Sequence, residues 1–169
     1  MKRNEGTYLI ACSACGADNA RITRGSYAYK EIGLDNITLE DVEIIHCDEC
    51  GNEDPIIRAI DTLHSLIADA LISKPARLSG REVRFLRKHL ELSAKSLAQI
   101  LQVHQATVSK WENGEDYIGP QSDLLVRALA IAKKEGKLEE LSGKLKAFDS
   151  EGSIPGITCN PSTNEFVYA

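Results

Sequence analysis

Two short cysteine motifs stand in the first third of the chain, Cys12-Ser13-Ala14-Cys15-Gly16 and Cys47-Asp48-Glu49-Cys50-Gly51. A two-residue spacer lets both thiolates of a motif reach one cation, and the glycine that follows lets the chain reverse around it. Four thiolates at about 2.3 Å form a closed tetrahedral zinc site. The spacing therefore predicts one structural zinc ion, with Cys12, Cys15, Cys47 and Cys50 as its ligands.

Two other kinds of cysteine chemistry compete with zinc. A thioredoxin-like site has a single C-x-x-C on a βαβ unit, whereas this chain has two, each followed by glycine. Disulfides need an oxidising compartment, and residues 1–10 include Lys2, Arg3 and Glu5 with no apolar run, so we expect neither a secretory signal nor a membrane span. We therefore expect a cytoplasmic protein. His46 could replace one thiolate as a ligand.

Residues 92–114 have the spacing of two short helices joined by a tight turn. Ser93 is a suitable N-cap, and Leu97, Ile100 and Leu101 follow at helical spacing, which predicts a first helix over 94–101. Gln102-Val103-His104 would form the turn. A second helix is predicted over 105–113, with Val108 and Trp111 facing inward and Gly114 ending it.

The outward positions of the second helix suit contact with DNA. An amide can read adenine, a methyl can meet thymine, hydroxyls bind phosphate, and a cation binds guanine or phosphate. With two residues at the start of the first helix, the predicted DNA-binding set is Gln105, Ala106, Thr107, Ser109, Lys110, Ser93 and Lys95. The alternative is an ordinary helical hairpin with a polar face.

Charge is distributed unevenly along the 169 residues. The net charge is −5 overall, but residues 1–73 carry −7, residues 74–134 carry +5 and residues 135–169 carry −3. The basic excess coincides with the predicted DNA-binding segment, as neutralisation of phosphates requires. Five of its cations lie just before the first helix: Arg77, Arg81, Arg84, Arg87 and Lys88. The acidic first segment suits a basic partner protein, or serves only solubility.

The remaining pattern indicates an α+β chain. The 31 residues between Cys15 and Cys47 predict two antiparallel strands, over 21–32 and 37–45. A helix over 54–73 would pack on this sheet or form a dimer seam, and Lys74-Pro75 would end it. Further helices are predicted over 81–90, from Ser122 to about 134, and over 137–148. The second part is therefore all-α with about five helices. The last two of these helices complete the core or pair with a second copy. The predicted limits are a zinc domain (1–73), a DNA-binding domain (74–148) and an extended or flexible tail (149–169).

The second segment is similar to the Cro/XRE family of helix–turn–helix domains. The similarity lies in Leu92-Ser93, Leu97-Ala98, Val103, Gln105, Thr107-Val108-Ser109 and Trp111-Glu112-Asn113-Gly114. By position, the resemblance implies base or phosphate contacts for Gln105, Ala106 and Lys110. Three residues depart from the family: Gln102 replaces a glycine, His104 replaces a Ser or Thr cap, and Ala94 replaces a Gln that often contacts DNA.

The order of the two modules resembles the MqsA-type antitoxins, also called YgiT-type zinc-finger proteins. This resemblance covers roughly residues 10–130, and it maps the family's metal ligands onto the four cysteines. It implies a homodimeric repressor of its own operon whose zinc domain binds a toxin, typically an mRNA-cleaving ribonuclease. A stand-alone regulator, whose zinc domain is structural or binds another protein or effector, is the alternative. We expect no enzyme, since no nucleophile–base pair, phosphate loop or open metal site is recognisable.

Overall fold

The three-stranded sheet is built around the strand that leads into the second cysteine motif. The computed structural model describes residues 10–147, 156–163 and 165–168. Strand β1 (Arg21–Ala28) pairs antiparallel with β2 (Thr38–His46), and β2 pairs with the short β3 (Glu53–Pro55) in the order β1-β2-β3. The predicted two strands and the α+β class are confirmed, while β3 was not predicted.

Six helices follow within the described residues. They are α1 (Ile60–Ser73), α2 (Gly80–His89), α3 (Ala94–Ile100), α4 (Gln105–Asn113), α5 (Pro120–Lys134) and α6 (Leu138–Lys146). The five helices after α1 match the predicted number. Helix α2 begins with a capping box, in which Ser79 and Glu82 each bind the other's backbone N–H.

Three predicted boundaries were wrong or lie outside the described residues. Helix α1 begins at Ile60 rather than near residue 54, because Glu53–Pro55 pairs with Ile44–His46 of the sheet. Proline is tolerated at such an edge, where its missing N–H leaves no ladder bond unmade. Helix α5 is capped by Gly119, with Pro120 in the first turn, rather than by Ser122. Phe148, predicted at the end of the last helix, lies outside the described residues.

One hydrophobic core joins the sheet to the helices. Tyr29 and Leu34, from the connection between β1 and β2, pack in the same cluster as Ile67 of α1 and Phe85 and Leu86 of α2. Helix α1 therefore packs against α2 and α5 as well as the sheet, and the core continues across Lys74-Pro75. The domain limits at 73 and 148 stay a prediction about folding units.

A buried ion pair on α5 holds the connection between α1 and α2 in place. Arg127 of α5 donates from Nε to Asp123 Oδ2 at 2.9 Å, and the two side chains are only 12% and 10% exposed. The Arg127 guanidinium also donates to backbone carbonyls at the end of α1 and just after it, those of Leu71, Ile72, Lys74 and Ala76, at 2.7–3.0 Å. The other Asp123 oxygen accepts the Leu78 N–H at 2.8 Å. The 74–78 segment is thus bound to α5 from both sides.

The end of the chain forms a hairpin. Strand β4 (Ile157–Asn160) pairs antiparallel with β5 (Glu165–Tyr168), so this part of the predicted tail has regular structure. Among the described residues, none of the helices is long and apolar enough to cross a bilayer.

The Arg127→Met variant should lose about 3–5 kcal/mol of unfolding free energy, since Asp123 and the carbonyls after α1 would lose their buried cation. We expect a melting temperature lower by roughly 10 °C, measured by circular dichroism. Lys134→Met is the matched control: Lys134 pairs with Asp69 on the surface, with 66% of its side chain exposed, and should change stability by less than about 1 kcal/mol. Equal effects of the two variants would contradict the role given to Arg127.

Candidate metal centre and nucleic-acid interface

The two cysteine motifs have the same local structure. In the first, the Gly16 N–H donates to the Cys12 carbonyl and the Cys12 N–H donates to the Ala17 carbonyl, both at 2.9 Å. In the second, Gly51 and Cys47 form the corresponding bonds, again at 2.9 Å. Gly16 and Gly51 have φ of 74° and 72°, a left-handed conformation that favours glycine. Each motif is therefore a tight knuckle that turns both of its sulfurs to one side.

The sheet brings the knuckles together at one end. Arg21 lies opposite His46 in the β1–β2 register, and Ile10 bridges to Ala20, so each knuckle sits beside this pair. All four sulfurs lie within 4.8 Å of one another. Cys12 Sγ is 3.7 Å from Cys50 Sγ, and Cys15 Sγ is 3.6 Å from Cys47 Sγ.

These distances fit a zinc ion. Sulfurs about 2.3 Å from a central zinc in tetrahedral geometry are about 3.8 Å apart, close to the two short distances here. Backbone N–H groups also support thiolates: those of Cys15 and Ala14 lower the pKa of the Cys12 thiol to about 7. The pKa of Cys50 rises to about 12 even though the Asn52 N–H lowers it, because the neighbouring Cys15 thiol and desolvation favour its neutral form. A bound cation would let all four ionise together.

His46 does not join this cluster. Its Nδ1 lies 3.2 Å from Glu53 Oε1 and its Nε2 lies 3.4 Å from Asp48 Oδ1, so both ring nitrogens face carboxylates. The alternative in which His46 replaces a thiolate is not needed, since four sulfurs already converge. A metal held by all four sulfurs would have a closed coordination sphere.

Helix α4 presents the predicted DNA-binding residues to solvent. Val108 and Trp111 are buried, while Gln105, Ala106, Ser109 and Lys110 are exposed and Thr107 is half-buried. Ser93 and Lys95 at the start of α3 are exposed too, although the Ser93 hydroxyl already accepts the Ser96 N–H at 3.0 Å as N-cap. The seven residues thus lie on α4 and the first turn of α3, and their contacts with DNA stay a prediction.

The two departures in the turn are accommodated. Gln102 adopts φ of 52°, the left-handed conformation that glycine gives more easily, and its amide donates to the Gln99 carbonyl at 3.1 Å. His104 acts as the N-cap of α4, with Nδ1 accepting the Ala106 N–H at 3.2 Å. The helix therefore begins at Gln105, as predicted, and ends at Gly114 with φ of 76°.

A buried carboxylate fixes α4 to α2. Glu112 accepts Arg87 Nε at 2.5 Å and Arg84 Nε at 3.3 Å, and 6% of its side chain is exposed. Arg84 also donates to Asn113 Oδ1 at 2.7 Å, at the last residue of α4. Arg84 and Arg87, counted above among cations for phosphate, therefore hold the helix in place. The sequence offered one sign of this pairing: two arginines lie one turn apart on one helix, and a carboxylate lies near the end of a later helix.

Close packing at Gly80 also holds α2 against α4. A Cβ on Gly80 would lie 1.8 Å from the Trp111 carbonyl oxygen, so the start of α2 approaches the α4 backbone as only glycine permits.

Residues 83–130 match the helix-turn-helix family. The matched segment runs from α2 into α5 and includes the α3–turn–α4 unit described above. This segment is similar to a helix-turn-helix domain. The similarity indicates that it binds double-stranded DNA in transcription regulation. Comparison of the chain with curated proteins and with solved structures gave no match.

Cys47→Ser should abolish stoichiometric zinc binding, because three thiolates and a hydroxyl make a much weaker site. Zinc contributes directly to folding, so the melting temperature should fall by on the order of 10 °C. Metal analysis of the purified full chain and circular dichroism measure both effects. Cys159→Ser is the control, since Cys159 lies in the terminal hairpin outside the cluster; a native metal content in Cys47→Ser would contradict the assignment.

Proposed function

We propose that this chain is a sequence-specific transcriptional repressor that also serves as the antitoxin of a toxin–antitoxin pair. In this role it binds the operator of its own operon and neutralises a ribonuclease-type toxin. The observation that carries the proposal is the outward face of α4, whose exposed polar residues and lysine lie on a helix fixed by a buried core. It acts by binding rather than catalysis, in the cytoplasm, where thiols stay reduced.

The cations of this surface support contact with a duplex. Lys95 and Lys110 are exposed, and within the described part of the chain neither makes an ion pair. Lys110 and Gln105 are suited to base edges in the major groove, and Lys95 to a phosphate. Ala106 offers only a methyl group, which favours a thymine at its position.

A stripe on α5 supports a homodimer. Leu124 and Ile131 are 67% and 44% exposed, and with Ala128 they lie at positions i, i+4 and i+7, one face of the helix. Tyr117, before this helix, is 87% exposed. Two copies that pack these faces about a two-fold axis would present two α4 helices to a palindromic operator.

The acidic first segment supports a basic protein partner. It carries −7 over residues 1–73, and a zinc ion with four thiolates would add to its negative charge. Such a surface attracts a cationic RNA-binding protein and keeps this half away from DNA phosphates. The second candidate is a stand-alone regulator, favoured by the match of the helix-turn-helix segment alone.

Gln105→Ala combined with Lys110→Ala should lower operator affinity by at least about 30-fold, since each base contact contributes about 1–3 kcal/mol. The operator is first selected from random duplexes with the native chain, and affinity is measured by fluorescence anisotropy at fixed salt. The variant should remain dimeric and melt as the native chain does. Leu124→Glu should instead become monomeric in sedimentation and lose affinity for that reason, whereas Lys137→Ala should bind normally. Undiminished binding by the double variant would refute the assignment of α4.

The antitoxin role is tested with the gene adjacent to that of this chain. Expressed alone, its product should arrest growth and cleave mRNA, and co-expression of this chain should restore growth and give a stable complex on size-exclusion chromatography. The Gln105→Ala, Lys110→Ala variant should neutralise as well as the native chain, because its zinc half is intact. A neighbour that is harmless and does not bind would leave the stand-alone regulator.

A further inference from the structure

An open groove runs between the sheet and α1. It has a volume of about 670 Å³ and lies between β2, the segment that follows β3, and one side of α1. Apolar side chains form much of its lining: Leu39, Val42, Ile56, Leu63, Leu66 and Ile67. It lies apart from both the cysteine cluster and the outward face of α4.

Two parts of the groove wall are not covered by other described residues. On the helix side, Leu66 of α1 is 66% exposed. On the sheet side, β3 pairs only with Ile44–His46, so the outer edge of β2 over residues 38–42 has no partner strand in the part of the chain that the structure describes. Exposed large aliphatic side chains beside a free strand edge are typical of a protein-binding surface.

The rim of the groove carries three carboxylates and two arginines. Glu40, Asp41 and Glu43 follow one another along β2. The cations on the rim are Arg24 and Arg58, and each is already paired, with Asp41 at 2.6 Å and with Glu43 at 2.9 Å. Since residues 1–73 carry −7 overall, an occupant with Lys or Arg side chains would be attracted.

We infer that this groove binds an extended, basic segment of a partner protein, with an apolar side chain against Leu66 and a cation against Glu40. An extended segment fits because β2 has a free edge over residues 38–40, before the bulge at Asp41 (φ 56°), and this edge offers backbone groups to a strand. A second copy of this chain fits poorly, since it would bring the same acidic edge against itself. The inference rests on the protein-binding part of the proposed function and gives it a location.

The test uses a phage-displayed library of random 12-residue peptides, selected on the zinc-loaded full chain. Selected peptides should be enriched in Lys or Arg alternating with aliphatic or aromatic residues. Their affinity, measured by fluorescence anisotropy, should fall at least tenfold for Leu66→Glu and clearly for Glu40→Lys. Ile157→Glu is the matched control, because Ile157 is 62% exposed against 66% for Leu66 but lies in the terminal hairpin; it should bind the peptides normally. Hydrogen exchange should show protection over residues 37–43 and 56–67 on binding.

Several results would overturn the inference. They are a selection that yields no binder, peptides of acidic or neutral composition, and peptides that bind the folded Leu66→Glu chain as tightly as the native chain. Loss of the native dimer in Leu66→Glu would make the groove a contact between copies instead. A toxic neighbour product that binds Leu66→Glu normally would overturn the groove while the antitoxin role stands. If the product of the adjacent gene is harmless and does not bind this chain, the antitoxin role is refuted regardless of the peptide results.

Discussion

The arrangement of the whole molecule depends on one buried guanidinium. Arg127 lies where α1 ends, and the last carbonyls of any helix lack partners within that helix. Its planar group of donors satisfies carbonyls there and pairs with Asp123, which in turn holds the Leu78 N–H. A cation at the negative end of the α1 dipole gains further stabilisation. The short connection between α1 and α2 is consequently a structural joint, and the cysteine-bearing sheet has a fixed orientation relative to the helix-turn-helix segment.

A second buried charge, that of Glu112, holds α4 against α2. Glu112 is costly to bury alone, and the hydrogen bonds from Arg84 and Arg87 make its burial tolerable. This pairing also raises the pKa of Arg87, so the cation persists. The consequence for DNA is that fewer cations are free than the net charge of residues 74–134 indicates. Arg81 pairs with Asp35 of the sheet connection as well, so the three arginines of α2 are each paired with a carboxylate.

Local signals in the sequence predicted the helix-turn-helix unit closely, but they did not predict pairings between residues that are far apart in the chain. The bounds of α4 follow from residues within it and beside it, since His104 caps its start and Gly114 ends it. The two knuckles were equally local, because each one is closed by its own backbone bonds. By contrast, Glu53–Pro55 reads as the start of a helix until β2 is beside it. The partners of Arg84 and Arg127 lie on other helices or other segments, and periodicity along one segment cannot identify them.

The fixed joint determines how a partner on the sheet could influence DNA binding. Leu34 and Asp35 of the sheet connection contact the helical part directly, through the shared core and through Arg81 of α2, and Arg84, one turn further along α2, holds the end of α4 at Asn113. A contiguous set of packed and hydrogen-bonded residues therefore joins the sheet to α4. Allosteric control requires two arrangements of such a set that the two ligands favour differently. Since Arg127 and Glu112 are each bound by several groups, a partner has to displace buried ion pairs to move α4, at a cost of several kcal/mol. A basic protein bound to the acidic half would act more readily through its position, because it would stay at a constant distance from a bound duplex. Its bulk would then collide with the DNA, or its charge would add to the attraction for phosphate.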